Sequence, residues 1–182
     1  MLKTLAALIL GASVALFSPA PFSSASAQQG AGGALTQFAS SMAPMPDPAS
    51  LSAKGAVYVP AYSSIRIGSG KTTLDLATTL SIHNVSDSAP LVLERIDYYD
   101  TAGSLVERYL PKPIAIRPFG TIEIFVAKED TRGGAGANFL ITWAGISAMP
   151  DPVVETVMIG SIGTNSYSFV SQGRAIRSGG AK

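Results

Sequence analysis

The segment Glu129-Asp130-Thr131-Arg132-Gly133-Gly134-Ala135-Gly136-Ala137-Asn138 concentrates the residue types best suited to hold a ligand. Its glycines admit positive φ and close backbone approach. Successive N–H groups in such a loop can cradle an anion. Glu129, Asp130 and Asn138 can instead offer oxygens to Ca²⁺, which takes about six to eight such ligands. These side chains do not fill that shell without carbonyls and water, so no metal site is assigned. The binding candidates are Glu129, Asp130, Gly133, Gly134 and Asn138. The alternative is a plain connection between sheets, since most loops carry no ligand.

Four other constellations invite chemistry. Asp97 and Glu107 flank a hairpin turn. If Gly103 makes a bulge after a type I turn, residue 97 faces 107, and two close carboxylates suit acid–base work. A plain four-residue loop sets residue 96 opposite 107 instead. Arg95 shares the face of Asp97 and can neutralise it, so a salt-linked strand surface is preferred over catalysis. His83 is the single histidine; a transition-metal site usually takes two or more His or Cys ligands, and no Gly-x-Ser-x-Gly elbow accompanies it. It is read as a solvated side chain at a strand end. Gly68-Ser69-Gly70-Lys71-Thr72-Thr73 resembles a phosphate loop, but Ile65 stands where the first Gly is needed and a strand follows. It is read as a polar turn. Asn84-Val85-Ser86 formally matches a glycosylation acceptor and is also read as a turn. No catalytic residue and no cofactor is assigned.

The elements that must position these residues alternate with period two. Val57 and Val59, then Ile65 and Ile67, precede Leu74, Leu76, Leu80 and Ile82, which are interleaved with Asp75, Thr79, Ser81 and His83. That spacing marks strands with one buried face. Leu91 to Tyr99 and Leu105 to Leu110 flank the Asp100-Thr101-Ala102-Gly103 hairpin turn. Pro111, Pro113 and Pro118 exclude a central strand. Thr121 to Val126, Phe139 to Ala144, Val153 to Ile159 and Tyr167 to Val170 complete the set, with Trp143 as core anchor. Seven to nine short strands predict an all-β chain, an immunoglobulin-like antiparallel β-sandwich, with a small barrel as the alternative.

The ends read differently. Lys3, the apolar run Leu5 to Phe17, and Ala25-Ser26-Ala27 form a secretory leader. The expected cut follows Ala27. The run meets Pro19 too early for a membrane span of about 20 residues. Residues 28–54 read as a flexible Gly/Ala/Pro/Ser-rich tether, 55–177 as one domain and 178–182 as a disordered tail. Cysteine is absent, which excludes disulfides, thiolate nucleophiles, Cys metal sites and a lipidated cysteine behind the leader. Losing Lys3 with the leader takes 13 basic residues to 12, equal to the 12 acidic ones. A neutral chain without basic runs argues against nucleic acid or an anionic membrane as partner.

The run Tyr98-Tyr99-Asp100-Thr101-Ala102-Gly103-Ser104-Leu105-Val106 with Tyr109-Leu110 resembles a bacterial family of unknown function, DUF3124. So do Gly133 to Phe139 with Trp143, and Pro152 to Glu155 continuing through Met158-Ile159-Gly160 and Phe169 to Arg174. The family's usual Gly-Gly-Ser-Gly reads Gly-Gly-Ala-Gly here, so no serine hydroxyl in that loop is essential to this chain. The resemblance implies one compact exported domain and no particular chemistry. The expected protein is a periplasmic or secreted non-enzymatic module that binds a protein or cell-envelope component through a loop end or an exposed strand edge. An envelope hydrolase with paired carboxylates, or a small-ligand or calcium carrier, are the alternatives.

Overall fold

The computed structural model describes residues 35–146 and 149–176. The leader 1–27, the first part of the tether and the tail 178–182 lie outside the described residues. Thirteen strands run β1 (Met42–Ala43), β2 (Ala53–Pro60), β3 (Ser64–Ile67), β4 (Thr72–Asp75), β5 (Ala77–His83), β6 (Leu91–Tyr99), β7 (Leu105–Arg108), β8 (Ile114–Ile116), β9 (Thr121–Val126), β10 (Asn138–Gly145), β11 (Val153–Ile162), β12 (Asn165–Gln172) and β13 (Arg174–Ile176). One sheet has the order β1-β8-β6-β10-β2-β13 with β7 also paired to β6. The other has the order β12-β11-β5-β9, and β3-β4 forms a separate hairpin. All pairings are antiparallel.

The two larger sheets enclose one core and do not close into a barrel. β5 beside β9 and β6 beside β10 reproduce the B–E and C–F neighbours of an immunoglobulin sandwich. The outer strands differ from that order: β2 lies beside β10, and β11 beside β5. Inward residues come from alternate positions. Val57 and Val59, Leu80 and Ile82, Ile96 and Tyr98, Ile122 and Ile124, and Phe139 and Ile141 are all buried. Each such side chain stabilises the fold by about 1.5–3 kcal/mol on burial. Trp143 sits in the same core, its indole lying where a Cβ on Gly55, directly across on β2, would have to go.

Two expectations need correction. Residues 35–54 are not a free tether. Leu35 is buried in the main core with Phe38 packed beside it, Met42 and Ala43 pair with Ile116 and Ala115, and Ala43 and Leu51 cover Val92, Ala115 and Ala144 on the outside of the first sheet. Apolar side chains spaced along a Pro-rich stretch supply burial that holds it with only two short 3-10 turns, Thr36–Ser41 and Pro48–Ser50, and a two-residue strand. The prolines at 111, 113 and 118 do bracket a strand: β8 fits between them and lies between β1 and β6. Three residues suffice because the missing N–H groups fall outside the ladder.

Asn84 fastens this end of the sandwich. Its buried Nδ2 donates to the carbonyls of Ala89 (2.8 Å), Arg117 (3.0 Å) and Ile116 (3.1 Å), and its Oδ1 accepts from the Ser86 N–H. The sequon asparagine is thus a buried clip between the β5 end and the β8 end.

Candidate interaction surface

The Gly-rich loop is a packed connection with five of its backbone donors engaged within the fold. The N–H groups of Asp130, Thr131 and Gly134 bond to the carbonyls of Ala127, Glu129 and Thr131. Those of Arg132 and Gly136 bond to Asp130 Oδ1 and Thr101 Oγ1. Thr101 also donates from its N–H and its hydroxyl to the Gly133 carbonyl, which ties the loop to the β6–β7 turn. Gly133 is buried because a Cβ there would collide with the Tyr98 hydroxyl and Ala137. Gly134 takes positive φ, the conformation that glycine alone adopts without cost. Tyr98 Oη meets Ser63 Oγ at 2.7 Å inside the core, and burial raises its pKa above that of a free phenol.

Asp130 binds Arg132 through two side-chain hydrogen bonds, 2.9 and 2.8 Å. Those bonds hold its carboxyl below the usual carboxylate range and push the guanidinium up. Glu107 Oε2 lies 3.7 Å from the same Arg132. Glu129 is exposed, and Asn138 opens β10 between Pro60 and Tyr99. Among the described residues, no group of three or more His, Asp or Glu side chains is placed to hold a metal ion.

Neither register considered for Asp97 is the one adopted. Asp97 pairs with Arg108 and Tyr98 with Glu107, because the ladder shifts between Tyr98 and Tyr99. The carboxylate pair therefore dissolves. Asp97 is 0% exposed. Its Oδ1 accepts from Arg108 Nε (3.1 Å) and its Oδ2 from Tyr99 Oη (3.3 Å). Arg95 Nε stands 3.2 Å from Oδ2, without the alignment of a hydrogen bond. Registers place Arg108, Asp97, Leu140, Tyr58 and Arg174 in one row across five strands of the first sheet. His83 shares a 2.9 Å hydrogen bond with Thr121 Oγ1 on β9. The Gly68–Thr73 stretch is the β3–β4 turn, with Gly68 and Gly70 at positive φ.

The second sheet has a different outer face. Its registers align Val170, Val157, Thr79 and Phe125 in one row across all four strands. Ile159, beside Ala77 and Ser168, lies in an adjoining row, and Val153 stands beside His83 and Thr121. Phe125 is 63% exposed, Val170 and Ile159 each 55%. The charges on this face are both negative, Glu123 and Glu155, which share the row of Ser81. Just before β9, Phe119 is 72% exposed and holds φ at 55°, a left-handed conformation that costs a non-glycine residue about 1–2 kcal/mol. An antiparallel sheet with one solvated face ordinarily turns polar residues outward. Exposed apolar side chains gathered on one face, unlike ones scattered singly, call for an explanation.

A family model described as "Protein of unknown function (DUF3124)" matches residues 54–176. The chain belongs to the DUF3124 family. Among solved structures it is similar to one described as the crystal structure of Thermotoga maritima 1070. The TM-score is 0.40, with 12% identity, over 66% of this chain and 92% of that one. No curated protein matches it. The DUF3124 match begins at Lys54, so the packed segment from Leu35 to Ala53 lies outside it. Sequence reasoning passed over the outer face of this domain. Its signal was present in Val153-Val154-Glu155-Thr156-Val157-Met158-Ile159, which is apolar at both parities, as a strand covered on both faces would be.

Proposed function

We propose that the chain is an exported, non-enzymatic β-sandwich module that binds a protein or cell-envelope component through the outer face of its four-stranded sheet. The observation that carries this reading is the outward row of Val170, Val157, Thr79 and Phe125, half-buried in its middle and exposed at Val170 and Phe125, extended by the exposed Ile159 and Val153. Export is supported by the leader pattern that ends at Ala27. The binding reading is supported by the fate of the polar candidates. Asp97 is held by arginine, Asp130 and Glu107 face Arg132, and His83 is bonded to a threonine. A photo-reactive residue placed at position 125 or 153 in the exporting cell should capture a defined partner. The same residue at position 58, on the opposite sheet, should not. Equal capture from both faces, or none from either, removes the reading. The mature protein should begin at Gln28.

A further inference from the structure

Among the described residues, β12 is an edge strand of eight residues paired without interruption to β11. No charged residue falls between Glu155 and Arg174, and no proline interrupts that stretch. Natural edges are protected by charge, proline, bulges or shortness, and this one has none of them. Beyond Ile159, β11 pairs with β12 alone, so the hairpin tip around Gly163 extends past β5. The open side of β12 is a row of N–H and C=O groups ready for another strand.

We infer that β12 pairs antiparallel with β12 of a second copy of this chain, joining two four-stranded sheets into one of eight strands. Neutrality points to a second copy. Self-pairing sets the residue on the axis opposite itself and the others opposite residues of the same short strand, so a strand charged with one sign would repel itself, whereas a charge-steered partner would select a charged edge. A two-fold axis normal to the sheet keeps each sheet face on its own side and pairs residues of like parity. With the axis at Ser168, Tyr167 stands opposite Phe169 of the second copy, twice over. Cross-strand aromatic pairs are among the favourable ones. Tyr167 is an exposed aromatic, and Phe169 already packs on Tyr62 with ring centroids 5.8 Å apart. Ser166 then faces Val170, and the apolar outer row continues into the second copy.

The protein purified as the cell makes it should run in light scattering at twice the chain mass. Ser168→Lys and Ser168→Glu set like charges face to face and should each weaken the dimer about tenfold or more. Mixing the two should restore it. Ser168→Cys, in a chain with no other cysteine, should crosslink between copies on mild oxidation, since directly opposed positions lie within disulfide reach. A monomer, or a dimer that Ser168→Lys leaves intact, overturns the inference, and crosslinking through Val170→Cys instead of Ser168→Cys overturns the register. The outcome is separate from partner capture at residues 125 and 153, because neither position lies on β12.

Discussion

The two outer faces of the sandwich solve opposite problems with the same pleat. The first sheet carries the row Arg108, Asp97, Leu140, Tyr58 and Arg174, in which a fully buried carboxylate is compensated by its neighbours. Its other end is covered by Ala43 and Leu51. The second sheet leaves Val170, Phe125 and Ile159 in water and carries Glu123 and Glu155 with no cation among them in those rows. One face is largely finished within the chain, and the other leaves apolar side chains in water. The difference shows that outward position alone does not make a residue a surface residue. What sits across the ladder decides it.

The largest expected effect breaks the finished face. Asp97→Ala leaves Arg108 without its acceptor and Arg95 without its counter-charge, and should cost about 1.5–3 kcal/mol, read as a lower urea midpoint at unchanged slope. Phe119→Gly should act in the other direction, raising stability by about 1 kcal/mol as the left-handed strain disappears. An unchanged melting temperature would show that the exposed ring makes a compensating contact. Phe125→Lys should change stability by less than about 0.5 kcal/mol, because the side chain is mostly in water, while removing the partner captured through that face. A large loss of stability would mean that the face is already covered within the chain. The smallest effect concerns Asp130. Its pKa is depressed by Arg132, so its contribution is present above the unfolded pKa and is lost as pH falls through the lower folded value. The deficit of Asp130→Asn, about a few tenths of a kcal/mol for so exposed a pair, should shrink between about pH 5 and pH 3. A deficit independent of pH would assign the loss to packing.

The sequence carried the inner faces plainly. Leu80 with Ile82, and Ile122 with Ile124, are apolar at one parity, and both pairs are buried. It carried the break at Leu76 poorly. The alternation runs on through residue 76, yet the Leu76 N–H bonds to Ser63 and the chain passes there from the hairpin into the sheet. The pairing of Asp97 was not legible either, because a ladder shift at Tyr98 and Tyr99 is set by twist and packing, not by residue type. β1 and β13 are two and three residues long, below any readable period. The glycine loop stood out in the sequence as a possible ligand cradle, but in the fold its glycines admit Tyr98 and Thr101 to the loop backbone. That reason appears only when the neighbours are known.

The Asn84 clip has a consequence for the lifetime of the molecule. Its amide shares two protons among three carbonyls. Deamidation would replace that nitrogen with a carboxylate oxygen, turning a donor into an anion aimed at three lone-pair-bearing oxygens. The joint between β5 and β8 would then be pushed apart by the residue that had closed it. A change of one mass unit at a single buried side chain would thus be enough to loosen this end of the sandwich.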